Sequence, residues 1–584
     1  MPAASSPSVA RRAAAPRIGP SGANWAVLAL FALVAYLVGA PLCGLIFGSL
    51  TDTPPGEPPH FTLDTLIDAY GDPDHLVSLV NSLVFATLTA TLVLAIGAAL
   101  AWAAARTDAA VRRFVDLFAL APMLIPSVLF VAGWVLLLGP KNGLINLFCV
   151  AYLGFAAPPF DVYSFSGMVW VATLQEIPLA FLWLWPAFRA LNPDLEEAAL
   201  IAGAGPGRVL WRISLPLLRP ALISAWIIFF VYALGALMVP LMIGLPARII
   251  LYSTEIYLAA QRVPSDLNLA SAYSLIILAT TAFGVHAYRR ATRDTARFAT
   301  VTGKAFRPRI APLGVWRLPV TAGAVLVLFL SAGLPMLVLA WNAFLPYPQA
   351  PSPQSLELLT LKNFSIALAY GPAVQALMTS LWLGFVAGLL ATVLGALIAW
   401  CTQRLRRPAL MIAALDQLAT APIAAPGMIV GVSLLWVYLL LPLPIYGTPW
   451  LLLIAYVTLH LPYAVRICAS GIAQLHTELE EGGRVAGGSW LFVFRRVVLP
   501  LMATSFLSSL LYVGLRSFRE YAASIFLTAP GTQVFSVLVL DMWDTGNFGM
   551  ISAYATMVMV LLTAIIGVFT WLMRRAGTRQ AGGT

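Results

Sequence analysis

Leu195-Glu196-Glu197-Ala198-Ala199-Leu200-Ile201-Ala202-Gly203, running on to Leu215-Pro216-Leu217, returns as Leu479-Glu480-Glu481-Gly482-Gly483-Arg484-Val485-Ala486-Gly487, running on to Leu499-Pro500-Leu501. The copies keep a constant offset of 284, and ten of the 23 aligned residues from 195 to 217 are identical. Each copy is an acidic, glycine-interrupted stretch in a chain that is 60% hydrophobic. Such a stretch is a poor lipid-facing element, so the chain is expected to present it, twice, as a surface.

The rest of the chain follows from that contrast. Only 10% of the 584 residues are charged and the mean hydropathy is +0.88, whereas soluble domains carry about one quarter charged residues. A hydrocarbon core about 30 Å thick needs about 20 apolar residues per helix. Twelve such stretches are predicted. They are 25–47, 79–105, 113–138, 166–188, 221–243 and 269–288 in the first half, then 318–342, 377–402, 411–441, 449–470, 504–528 and 549–573 in the second. The expected fold is an all-α polytopic membrane protein of about 12 transmembrane helices in two parallel six-helix repeats, with both termini cytoplasmic. Six spans separate the polar copies, which puts both on one side.

Further matches extend the duplication. Residues 97–106 read GAALAWAAAR and 395–404 read GALIAWCTQR, Pro122 and Pro126 pair with Pro422 and Pro426, and Pro178 pairs with Pro462. The expected division is an N-terminal tail 1–24, a first half 25–300, a basic linker 301–316 and a second half 317–584. Parallel repeats place a pseudo-two-fold axis along the membrane normal, with a pathway between the halves.

Orientation rests on basic residues, which accumulate on the cytoplasmic side. Eight Lys and Arg fall within 289–317, whereas 48–77 holds none and carries Asp52, Glu57, Asp64, Asp68, Asp72 and Asp74. The net charge of +10 therefore reads as topology and attraction to anionic headgroups of a lipid bilayer, not as nucleic-acid binding. The first apolar run is too long for a signal peptide and is expected to be retained. The four cysteines form no CxxC pair, leaving Cys43 and Cys149 open to pairing near the outer face.

Within each polar copy, a short helix over 195–201 is expected, with Asp194, Glu196 and Glu197 near its N-terminus, where the helix dipole favours negative charge. Gly203, Gly205 and Gly207 should break it, and Pro216 with Pro220 should stiffen the return to the membrane. The bland alternative is a pair of solvated amphipathic loops, which does not explain the constant spacing. Glu197-Ala198-Ala199, then Gly203-Ala204, then Ile213, Leu215, Pro216 and Pro220 resemble the EAA loop of ABC importer permeases. The second copy keeps Glu481, Gly487, Leu499 and Pro500 but has Gly482 and Gly483 for the alanines and Thr504 for the last proline.

The resemblance implies coupling loops that dock on cytoplasmic ATPase subunits. Glu197 and Glu481 would lie at the contacts, with Glu196, Ala198, Ala199, Gly203, Pro216, Glu480, Gly482, Gly483, Gly487 and Pro500 completing the loops. A phosphate loop needs G-x-x-x-x-G-K-[ST], and around Gly303-Lys304 the chain has Phe298 and Ala305 instead. The chain is thus expected to be no enzyme and to hold no cofactor. ATP and Mg would sit on two separate ATPase subunits, and a periplasmic substrate-binding protein would dock on the outer loops 48–78, 245–268, 343–376 and 529–548. The expected location is a bacterial inner membrane.

Ionisable groups at membrane depth are functional candidates by default. Glu176 and His460 are related by the 284 offset and could face one another across the pathway, as ligands, as a proton relay or as a structural hydrogen bond. Arg516, Arg519 and Glu520 are expected towards the outer end of the eleventh span, neutralising one another. Residues 519–524 (REYAAS), Thr528-Ala529-Pro530-Gly531, Gly244-Leu245-Pro246 and Val301-Thr302-Gly303-Lys304 resemble the fused two-half ferric-iron branch of these permeases, which implies ferric iron as substrate. Relatives in that branch carry an acidic residue where Met238 stands here. Phosphonate, thiamine or polyamine import, and an ion-gradient-driven transporter using Glu176 and His460, remain alternatives.

Overall fold

The computed structural model describes residues 22–118, 125–293, 310–405, 408–441 and 443–581. The N-terminal tail to residue 21, Pro122 and residues 294–309, with Gly303 and Lys304, lie outside the described residues. The described chain is helical, and its only β pairing is two isolated bridges. Nine described helices are long and apolar enough to cross a membrane, and two bent helix pairs raise that to eleven.

The remaining expected span, 113–138, is not one continuous helix as described. It comprises a 3-10 turn Ala110–Phe114, a helical stretch over 115–118 and, after residues 119–124 outside the described set, a non-helical pair at 125–126 before the 12-residue helix Ser127–Leu138. Its counterpart, expected as one span over 411–441, is bent by 110° between Ala409–Ala424 and Gly427–Leu440. Pro422 and Pro426 account for that break: proline lacks an N–H and disfavours α conformation in the residue before it. The span expected over 504–528 likewise ends at Phe518, and the chain turns before a short helix Ser524–Leu527. Strong apolar composition concealed all three interruptions.

The duplication extends to packing. Gly97, on Pro73–Arg106, lies so close to Phe165–Arg189 that an added Cβ would sit 2.6 Å from the Ala180 Cβ; Gly395, on Gly371–Arg404, would meet the Ala464 carbonyl carbon at 2.7 Å. Ala180 and Ala464 are themselves 284 apart. Small residues let membrane helices approach without a hydrophobic driving force between them. Gly395→Ala is expected to destabilise the folded chain by about 1–3 kcal/mol through overpacking against backbone. Gly567→Ala, with nothing within 4 Å, should be neutral or slightly stabilising in the same detergent unfolding series.

The two halves are interlocked. Gly22–Ser49 packs on Leu267–Arg293 of its own half but also on Gly427–Leu440 of the other, and Leu334–Ala343 packs on Ser127–Leu138. The Tyr36 and Tyr438 hydroxyls bond across one seam (2.8 Å), and the Trp436 indole N–H donates to the Leu267 carbonyl (3.1 Å). Each half therefore completes the other's broken span.

Two of the four expected outer loops are largely folded inwards. Tyr252–Gln261 and Phe535–Asp544 are short helices with buried faces, and their first N–H groups donate to Ser82 Oγ (2.8 Å) and Ser380 Oγ (2.7 Å) on the long helices. The exposed parts of these two loops are then chiefly 261–265 and 544–547. Cys43 and Cys149 are both free thiols rather than a pair.

Candidate functional site

The first repeated segment forms the helix Pro193–Ile201 and the second Thr477–Val485. Gly203 and Gly487 both adopt φ of +85° with open space where a Cβ would go. Glycine is needed there for its backbone, since a left-handed φ strains other residues. Gly205 lies in the break between the two helices as expected, whereas Gly207 does not contribute to it, lying inside the next helix, Pro206–Val209. Both copies then re-enter the bundle through a π-type turn, Leu210–Ser214 and Phe494–Val498.

The paired glutamates separate into two environments. Glu196 Oε1 accepts from Ser214 Oγ at 2.7 Å and lies 3.3 Å from Arg106, the last residue of Pro73–Arg106. Glu480 Oε1 accepts from Arg404 Nε at 2.8 Å and its Oε2 from the Trp400 indole at 2.9 Å. Arg404 also donates to the Ile472 and Leu475 carbonyls, as Arg106 does to Leu191. Glu196 and Glu480 thus clamp each loop to the end of a long helix, facing inwards rather than towards a partner.

Glu197 and Glu481 face outwards, beside Ala198 and Gly482. Ile201, 87% exposed, and Val485, 83% exposed, occupy equivalent positions, as do the exposed Leu195 and Leu479. Each loop therefore offers an apolar rim around a carboxylate. Both lie at one end of the bundle: Ala311 N–H donates to the Arg106 carbonyl beside the first loop, and the two spans that follow, Gly314–Ala343 and Gly371–Arg404, return the chain so that Arg404 meets Glu480 of the second.

Between the halves lies a cavity of about 390 Å³, lined by Glu176, His460, Arg516, Arg519 and Glu520 together with tyrosines 232, 463 and 512. Glu176 sits at mid-length of Phe165–Arg189. The structure brings Arg516, Arg519 and Glu520 to the same depth instead of the outer end, because their helix stops at Phe518. His460 and Glu176 share the cavity, but the carboxylate nearest His460 Nε2 is Glu520 Oε2, at 4.0 Å, and neither ring nitrogen has a hydrogen-bond partner.

Arg516 makes no direct ion pair with Glu520, contrary to expectation. Its guanidinium stands 4.7 Å from the Tyr463 ring centroid and 5.9 Å from that of Tyr512, and it donates to the Tyr512 hydroxyl at 3.3 Å. Such cation–π seating holds a desolvated cation in place. Glu520 Oε1 accepts from the Ala523 N–H at 3.1 Å, capping the turn, and packs on Gly427. The Tyr232 and Tyr463 hydroxyls, 3.4 Å apart, link the halves.

Tyr232 stands 284 before Arg516, so the repeat offset itself points to it. Tyr463 and Tyr512 carry no such signal, since tyrosine in an apolar helix ordinarily reads as core. Gln175, also in the wall, donates to Ser127 Oγ at 3.0 Å. Among the described residues no group of three or more His, Cys, Asp or Glu could hold a metal ion.

Two segments of the chain, 78–293 and 391–579, match the family of binding-protein-dependent transport system inner membrane components. The chain belongs to this family. As an inner membrane transport component it is not itself an ATP-hydrolysing subunit. It is 27% identical over 466 residues to the ferric transport system permease protein FbpB of Actinobacillus pleuropneumoniae, covering 78% of this chain and 65% of that one. A putative ferric transport system permease of Haemophilus influenzae is 26% identical over 437 residues, 72% and 65% of the two chains. The matches thus span 65% of the length of these two ferric relatives. A putative 2-aminoethylphosphonate transport system permease protein, PhnV, of Salmonella choleraesuis is 27% identical over 265 residues, 44% of this chain and 94% of that one.

Proposed function

We propose that the chain is the permease of an ATP-driven importer, with both repeated loops on the cytoplasmic face and the cavity between the halves as the substrate pathway. The observation that carries this reading is the paired loop geometry. Two equivalent helices at one end of the bundle turn apolar rims and a carboxylate outwards while buried glutamates fix them from behind. That arrangement suits two separate ATPase subunits binding ATP and Mg, one on each loop, so that their closure rocks the halves. A periplasmic substrate-binding protein would deliver cargo at the opposite face.

The cargo reading is ferric iron, supported by the names of the ferric relatives. Glu176, Glu520 and the tyrosine hydroxyls are hard oxygen donors of the kind a trivalent cation prefers. Met238, also in the cavity wall, contributes no such donor. A second reading, an oxyanion such as a phosphonate, is favoured by Arg516 and Arg519. It also has the N-terminal ends of Ser127–Leu138 and Gly427–Leu440 at the wall, where helix dipoles attract anions.

Proteoliposomes carrying the chain, its ATPase subunits and the binding protein test these readings. ATP-dependent uptake of ferric ion, and not of 2-aminoethylphosphonate, is expected. Uptake by the chain alone under an ion gradient would overturn the ATP-driven reading. Glu176→Gln, which keeps the shape but removes the charge, should lower uptake about tenfold, equivalent to about 1.4 kcal/mol of lost charge interaction with the cargo, while ATPase subunits still co-purify. Unchanged uptake would remove Glu176 from the pathway.

A further inference from the structure

A second cavity, of about 510 Å³, lies at the loop end of the first half, away from the central one. Three elements enclose it: the turn following Pro73–Arg106, the end of Phe165–Arg189 and the segment from Ile310 to Arg317. Backbone bonds fix this wall. Ala311 N–H donates to the Arg106 carbonyl (2.8 Å), Asp108 N–H to the Ala311 carbonyl (3.2 Å), Leu313 N–H to Asp108 Oδ1 (3.0 Å) and Ala110 N–H to Thr321 Oγ1 (3.1 Å).

Four guanidinium groups line the space, from Arg112, Arg113, Arg189 and Arg317, against one carboxylate, Asp108, which already accepts a backbone bond. None of the four has an ion pair among the described residues. Arg189 only stacks over Trp185, 5.0 Å from the ring centroid. Trp185 also lines the cavity, and its indole N–H is buried without an acceptor. A buried donor left unmet and four like charges in one place are both unfavourable, and an anion carrying several acceptor oxygens resolves both.

The rim says where that anion comes from. Val315, Trp316 (67% exposed) and Leu318 (77% exposed) flank Arg317 outside the cavity, and Leu117 is exposed beside Arg113. Exposed aromatic and aliphatic side chains next to arginines at the ends of membrane helices mark the headgroup level of a bilayer. Basic pockets between helices at that level suit lipid phosphates.

We propose that this cavity binds the headgroup of an anionic phospholipid, its phosphate held by Arg112, Arg113, Arg189 and Arg317 and by the Trp185 indole N–H, with its acyl chains over Trp316 and Leu318. The lipid bridges the end of the first half's long helix and the first residues of the second half, and so braces the join between the repeats. The site is independent of the cargo and of the importer reading.

The test is native mass spectrometry of the full chain released from vesicles of mixed phosphatidylglycerol and phosphatidylcholine. The wild type should retain phosphatidylglycerol in preference. Arg112→Ala with Arg317→Ala should lower that retention about 25-fold, taking about fivefold per basic side chain near an anionic surface. Both arginines are exposed, so the melting temperature should not move, and Arg112→Lys with Arg317→Lys should keep most retention. Trp185→Phe keeps the ring beneath Arg189 and removes the donor, and should give a smaller loss. Equal retention of the two lipids, equal retention by the alanine variant, or displacement by inorganic phosphate, which would assign the site to a soluble anion, would each overturn the proposal.

Discussion

Glu480→Ala should destabilise the folded chain by about 3 kcal/mol, whereas Glu481→Ala, one residue on, should cost less than about 0.5 kcal/mol. The glutamates are adjacent in a repeated motif, yet their surroundings differ. The Glu480 side chain is 6% exposed and accepts two directed bonds, from Arg404 Nε and the Trp400 indole. Removing it leaves a guanidinium and an indole N–H buried without their acceptor. Removing one partner of a buried ion pair is far more damaging than replacing both. Arg404→Met combined with Glu480→Leu should therefore recover much of the loss.

Glu196→Ala should cost a comparable amount, because it strands Arg106, 3% exposed, with the Leu191 carbonyl as its remaining acceptor, although the Ser214 hydroxyl can reorient. Unfolding in detergent across this double-mutant cycle measures the coupling. Equal losses for Glu480→Ala and Glu481→Ala would sink the division of the pair into an inward clamp and an outward contact.

Glu197→Lys together with Glu481→Lys is expected to leave the bundle folded and abolish transport-linked ATPase activity. Both residues are exposed on their loop helices, so inverting their charge acts at the surface of the bundle and not in its core. Misplaced charge across an interface costs several kcal/mol. Two such changes should weaken ATPase association at least about 1000-fold. Pull-down of the ATPase subunits measures association, and the unfolding midpoint serves as the control. Full association with normal coupling would show that the loops are not the docking surface, even though the fold presents them.

The helical class and the duplication were legible in the sequence because each depends on local properties. Apolar length sets a span, and a polar motif recurring at one offset cannot be hidden by lipid-facing neighbours. Gly203 and Gly487 were legible for the same reason: a left-handed backbone is a local demand that glycine meets. The breaks at Phe518 and between Ala424 and Gly427 were not, since hydropathy averages across a proline pair and a polar turn alike.

Tertiary structure alone decided which member of each glutamate pair faces inwards. It also decided that Gly22–Ser49 and Leu334–Ala343 cross to the opposite half, and that Arg516 is seated between tyrosines rather than against Glu520. These outcomes depend on contacts between residues hundreds of positions apart. The chain's own order determines what each helix is made of, but only packing determines which charged side chain is left facing a cavity, a partner or the lipid.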